Sequence, residues 1–173
     1  DITIGITTDC AVEFTLPDPV VLNECSGYTV TVNSSDLAAF GNEMQYSNVV
    51  SGTYTVSYQI MDDCGNSSFE TFELIVRDEK APTAFCTDEL VIDLMPDGNG
   101  GGMATINAAD FNFGSFDNCT TDQNLSYSFS ADQTETTASF DCSDSGEQTL
   151  TMYVWDEAGN SDHCVVTLDV QHN

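Results

Sequence analysis

Positive charge is what this chain lacks most. Its 173 residues include two basic side chains, Arg77 and Lys80, against 29 acidic ones, a formal charge of −27. Such a polyanion repels phosphate, which excludes nucleic acid and an anionic lipid surface as partners. Long apolar runs are also missing. Nothing approaches the ~18 consecutive apolar residues of a membrane-spanning helix, so no membrane insertion is expected. Histidine is confined to His163 and His172, near the end of the chain, where a surface or packing role suits them better than that of a catalytic base. With no Cys-x-x-Cys and no paired histidines, the seven widely scattered cysteines read as disulfide partners in an oxidising compartment rather than zinc ligands. Neither an initiating Met nor a leader is seen, and the chain reads as a mature product or an excerpt of a secreted, cell-surface protein.

The same shortages argue against an enzyme. Ser161 and Asp162 adjoin His163, but neighbours along a strand point to opposite faces, so they form no triad. With so many carboxylates, any Asp/Glu pair is uninformative as a glycosidase signal. The Gly-rich stretch after Asp97 has no following Lys-Ser/Thr and reads as a hairpin tip, not a phosphate cradle.

What is present is a repeat. Residues 52–76, GTYTVSYQIMDDCGNSSFETFELIV, align without a gap on residues 146–170, GEQTLTMYVWDEAGNSDHCVVTLDV. Identities fall at Gly52/Gly146, Thr55/Thr149, Asp62/Asp156, Gly65/Gly159, Asn66/Asn160, Ser67/Ser161, Leu74/Leu168 and Val76/Val170. Val56, Tyr58 and Ile60 alternate with polar residues, as do Leu150, Met152 and Val154, the period of two that sets one strand face on a core. Each copy is therefore a β-hairpin closed by an Asp-, Gly- and Asn-bearing turn. Further strand-like runs at 2–7, 12–16, 27–32, 90–94, 103–106, 125–130 and 135–140 make the chain all-β, with helical turns expected only at 35–40 and 107–113. Proline and both basic residues cluster at Arg77-Asp78-Glu79-Lys80-Ala81-Pro82, which marks a boundary. The expected architecture is two tandem immunoglobulin-like β-sandwich modules, 1–78 and 79–173.

A polyanion needs cations, and calcium takes six to eight oxygen ligands. Asp62, Asp63 and Asn66 in the first hairpin turn, with Asp78 and Glu79 at the junction, are candidate Ca2+ ligands if that turn folds toward the linker. Asp117, Asp156, Glu157 and Asn160 repeat part of the set in module two. The competing reading is that Asp-x-x-Gly-Asn is turn chemistry alone, and acidity a means to solubility.

Aligning outward, Cys10 matches Cys86, and Asn23-Glu24-Cys25 matches Asp117-Asn118-Cys119. The simplest disulfide scheme is then Cys25 with Cys64, Cys119 with Cys142 and Cys86 with Cys164. Cys10 is left as a free or intermolecular thiol, with a Cys10–Cys25 pairing as the main competitor. Tyr153 and Trp155 lie on the strand face opposite Met152 and Val154, as a contact surface, a sugar-stacking platform or a cap on the core. Residues 2–6 are an ordinary first strand, the last strand of a preceding module, or a strand donated to a neighbour.

The junction Val76-Arg77-Asp78-Glu79-Lys80-Ala81-Pro82 leading to Cys86, the Gly114-Ser115-Phe116-Asp117-Asn118-Cys119 and Phe140-Asp141-Cys142-Ser143-Asp144-Ser145-Gly146 runs, and Val154-Trp155-Asp156-Glu157-Ala158-Gly159-Asn160-Ser161 before Cys164 carry a resemblance. Together they resemble the hyalin-repeat and PKD-like immunoglobulin-fold modules strung in large secreted surface proteins of Bacteroidota, including gliding adhesins. The resemblance covers nearly all of module two; module one keeps Asp62-Asp63-Cys64-Gly65-Asn66 but lacks the Phe-Asp-Cys element and the late cysteine. It implies non-catalytic spacers and adhesive elements of a stalk or filament, often exported by the type IX route. The implied partners are neighbouring modules, copies of the chain itself or surface polysaccharide.

Overall fold

The computed structural model describes residues 1–22, 27–42, 44–87, 89–96, 98 and 101–171; Cys25 with the neighbouring Asn23 and Glu24, the turn residue Asp97, and His172 lie outside them. The chain divides into two compact units, Asp1–Glu79 and Lys80–Asn173. Both are immunoglobulin-like β-sandwiches.

Module one comprises β1 (Ile2–Ile6), β2 (Val12–Thr15), β3 (Tyr28–Asn33), β4 (Gly41–Asn42), β5 (Gln45–Val49), β6 (Gly52–Asp62) and β7 (Ser67–Asp78). One sheet runs β1-β7-β6-β3 and the other β2-β5-β4. The alternation read from the sequence sets the packing: Tyr54, Val56 and Tyr58 of β6 and Leu74 and Val76 of β7 are buried with Ile6, Tyr46 and Val49. Each such aliphatic side chain contributes about 1.5–3 kcal/mol by leaving water. The buried phenols need acceptors: Tyr54 donates to the Val50 carbonyl and Tyr58 to that of Pro17, both at 2.8 Å.

Module two comprises β8 (Glu89–Asp93), β9 (Met95–Pro96), β10 (Gly102–Asn107), β11 (Ser126–Ser128), β12 (Thr137–Asp141), β13 (Gly146–Trp155) and β14 (Ser161–Gln171), with 3-10 turns at Ala108–Phe111 and Cys142–Asp144. Its sheets run β11-β13-β14-β8 and β12-β10-β9. Phe111, Met152, Val154, Val166, Leu168 and Val170 fill the core between them.

In each module the first strand runs parallel to the last: Ile2 pairs with Leu74 and Leu90 with Leu168. Residues 2–6 are thus the first strand of module one itself. The outward alignment of Cys10 on Cys86 does not hold, because Cys10 follows β1 whereas Cys86 precedes β8. Residues 35–40 form a succession of turns rather than a helix, and these seat Leu37 in the core.

Candidate metal site

The two long hairpins close on one turn made twice. In module one, Asp62 Oδ1 accepts the Asn66 backbone N–H and Oδ2 accepts Asn66 Nδ2, both at 2.8 Å. In module two, Asp156 holds Asn160 through the same two bonds, each 2.7 Å. Gly65 and Gly159 adopt φ of 89° and 88°, a conformation that side-chain-bearing residues resist. To this extent the Asp-x-x-Gly-Asn run is turn chemistry.

The surroundings of the two aspartates differ. Asp62 is partly exposed, whereas Asp156 is 5% exposed. Loop 117–124 packs against the module-two turn: Glu157 donates its N–H to Thr120 Oγ1 at 3.0 Å, and Asn124 Nδ2 donates to Glu157 Oε1 at 3.0 Å. Asp117 Oδ2 caps the loop by accepting the Cys119 and Thr120 N–H groups, both at 2.8 Å. The result brings carboxylate oxygens of Asp117 and Asp156 within 4.8 Å of each other. Asp117 Oδ1 and the amide Oδ1 of Asn118 are buried and receive no hydrogen bond. A buried acceptor without a donor costs about 1–3 kcal/mol, more when charged, and two anions this close repel one another. A hard cation taking oxygen ligands removes both penalties, so the residues fit Ca2+. Residues 117–123 also line an open depression of about 550 Å³, which leaves solvent access to the loop.

The expected ligands of the first hairpin turn are placed differently. β7 runs its twelve residues between the Asp62 turn and Asp78, so Asp62, Asp63 and Asn66 sit at the opposite end of module one from Asp78 and Glu79, roughly 36 Å of strand away. The turn does not fold toward the linker, and these five residues do not form one site. Glu79 is held by Arg77, whose guanidinium lies 2.8 Å from Glu79 Oε1. Its carboxylate covers Gly5, where an added Cβ would strike it. Glu157 is bonded to Asn124 as above. Sequence reasoning missed Asn118, although the Asp-Asn pair ahead of Cys119 was the available signal.

The cysteines also depart from the expected scheme. Cys86 and Cys164 are joined in a disulfide. Cys64 and Cys142 are free and exposed, so neither the Cys25–Cys64 nor the Cys119–Cys142 pairing forms. Cys64 occupies the hairpin tip. Cys142 lies in the 3-10 turn just ahead of β13, its sulfur accepting the Gly102 N–H at 3.3 Å, while loop 117–124 packs at the far end of that strand. The ten residues of β13 span roughly 30 Å, well beyond the ~7 Å that a disulfide bridges. Cys10, expected free or intermolecular, is disulfide-bonded, as is Cys119.

Tyr153 and Trp155 lie on the outward face of β13. Their rings stack at 6.0 Å, and Tyr153 stacks on His163 at 5.3 Å. The indole N–H is spent on Ser128 Oγ at 2.8 Å. They are half-buried and do not cap the core.

These features define a tandem pair of immunoglobulin-like β-sandwich modules. No protein-family model matches the chain, and no curated protein matches it. Solved structures with a similar course include the fibronectin(III)-like modules of Clostridium thermocellum CbhA, at 10% identity over 99% of this chain and 90% of that one, TM-score 0.38. Chicken VE-cadherin EC1-2 is similar at 12% identity over 98% and 97%, TM-score 0.41. A third is Bacteroides ovatus SGBP-B, from a mixed-linkage glucan utilization locus and bound to a mixed-linkage heptasaccharide, at 13% identity over 96% and 43%, TM-score 0.30. Among the described residues no helix is long and apolar enough to cross a membrane.

Proposed function

We propose that the chain is a non-catalytic structural or adhesive segment of an extracellular, cell-surface stalk or filament, and that its second module binds Ca2+ through Asp117, Asp156 and the Asn118 amide oxygen. The observation that carries this reading is the buried, donor-less Asp117 Oδ1 beside the buried Asp156. The disulfide-reinforced β-sandwiches and the resemblance of module two to hyalin repeats support the spacer role. The charge of −27 keeps neighbouring chains apart wherever no contact is built for them. Bound calcium would neutralise part of the Asp117/Asp156 pair and fix loop 117–124 against the β13–β14 turn.

The test is a thermal melt of the non-reduced protein in calcium, in magnesium and in chelator. Binding to the native state alone stabilises by about 2.7 kcal/mol at a hundredfold excess over Kd, so calcium should raise the midpoint well beyond magnesium, and Asp156→Asn should abolish the difference. Equal midpoints in all three conditions would refute calcium binding. Asp78→Asn and Glu79→Gln in the same assay test whether the junction carboxylates serve the ion as well.

A second reading, a carbohydrate-binding module, draws on the outward Tyr153, Trp155 and His163 rings. A glycan array with a Trp155→Ala control decides it: a spacer gives no signal that depends on the indole.

A further inference from the structure

Module two carries a second feature that neither the turn nor the ion explains, three exposed phenylalanines on one rigid ribbon. Residues 83–87 pair antiparallel with 111–116: Thr83 and Phe116 exchange backbone bonds of 2.8 and 3.2 Å, Phe113 N–H donates to Phe85 O at 2.8 Å, and Thr87 N–H to Phe111 O at 2.8 Å. Ser115, 2% exposed, locks the ribbon from beneath, its Oγ accepting the Phe85 N–H at 3.0 Å and donating to the Phe85 carbonyl at 3.1 Å. The Cys86–Cys164 disulfide ties the same ribbon to β14. On this support Phe85, Phe113 and Phe116 remain 49%, 77% and 48% exposed, with the Phe85 and Phe116 rings stacked at 6.0 Å.

We infer that this phenylalanine patch is a self-association surface, its occupant the same patch on a second copy of the chain. Charge selects this occupant, given the structural role proposed above. In a twofold contact the same patch serves both sides, so every charge in it must find its opposite within that one patch. With two cations against 29 acidic residues, most of this surface would repel its own copy and little of it could offer an opposite charge. Residues 81–87 and 111–116 contain no charged side chain at all, and rigid aromatics lose little entropy on docking. The three residues expose on the order of 350 Å², taking roughly 200 Å² for a whole side chain. Two patches face to face bury about 700 Å², below the ~1,200 Å² of stable interfaces. The contact is therefore weak and becomes effective at high concentration or when repeated along an array.

Sedimentation velocity of the intact, non-reduced chain tests this, from micromolar to about millimolar concentration, at low and at ~1 M salt, with calcium and with chelator. Salt shortens the Debye length to about 3 Å, which removes repulsion without weakening apolar contact. The expected result is a weight-average mass that climbs toward twice the monomer with concentration and climbs further in high salt. Phe113→Ser should weaken the association at least tenfold, and Phe69→Ser, on an exposed site of module one, should leave it unchanged. A monomer under every condition, an association that salt weakens, or equal loss in both variants would overturn the inference. None of these outcomes bears on the calcium-dependent melt, so each proposal can fail without the other.

Discussion

The two hairpin turns are the same piece of chemistry placed in two environments. Asp62 and Asp156 each hold an asparagine by two short bonds around a left-handed glycine. Asp62 then meets solvent, whereas Asp156 is covered by loop 117–124 and faces a second carboxylate. A local motif therefore specifies a turn, and whether that turn becomes part of an ion site is decided by the loop that packs over it. The partially exposed aspartate keeps contact with water, whereas the buried one shares its surroundings with the Asp117 carboxylate.

The modules differ also in how they are secured. Module two closes a span of 78 residues with the Cys86–Cys164 bond. Cutting it with Cys164→Ser should have the largest effect, about 4 kcal/mol from loop entropy. Hydrogen exchange read peptide by peptide in the intact chain should show module two loosening while module one is unchanged. Next in size, Asp156→Ala strands the Asn160 donors and should cost roughly 2–3 kcal/mol together with any calcium response. Asp62→Ala, in its wetter setting, should cost about 1 kcal/mol and leave the calcium response intact. If the two variants behave alike, burial is not what separates the turns.

Alkali should separate the modules in the opposite direction. Burial raises the pKa of Tyr46, Tyr54 and Tyr58 in module one and of Tyr127 in module two. A raised phenol pKa means the fold retains a proton that the unfolded chain would release. The stabilisation is complete below the ordinary value of about 10 and is lost as pH rises through the folded one. With three such phenols to one, module one should open first above pH ~10, as exchange protection will report. The smallest effect belongs to acid. Asp132 and Asp141 have pKa values lowered by hydrogen bonds from Thr134 and Ser143, so their turns are supported above the ordinary carboxylate pKa and lose that support as pH falls through the depressed value. Amide exchange at Ser143 should quicken over that interval.

Much of the fold was readable because alternation is written plainly in the long strands: the hairpins expected at 53–76 and 148–170 are the observed β6–β7 and β13–β14. β5 was missed because Gln45-Tyr46-Ser47-Asn48-Val49 breaks the period. Its register slips by a residue between Tyr46 and Val49, and Asn48 sits at φ 57°, a bulge that returns both Tyr46 and Val49 to the core. β4 and β9 are two residues each, too short to carry a pattern. At the site, Asp117 and Asp156 were legible as oxygen-rich turn residues. Their approach was not, since it depends on how loop 117–124 lies over the β13–β14 turn, and that is settled by Thr120 and Asn124, whose types occur in any polar loop. Disulfide partners were unreadable for a related reason: the internal alignment fixed positions along the strands but not which strand ends meet.

The parallel pairing of first and last strands has a mechanical consequence. In each module the chain enters through one strand and leaves through its parallel neighbour, five residue pairs long. Tension applied along the chain pulls these two strands in opposite directions along their own axes. The ladder is then loaded in shear, and its bonds must yield together instead of unzipping one at a time. Rupture under load is a matter of unfolding rate rather than equilibrium stability. Under such a load the five pairs of each module would share the force, and the Cys86–Cys164 bond would limit how far the second module extends once that ladder gives.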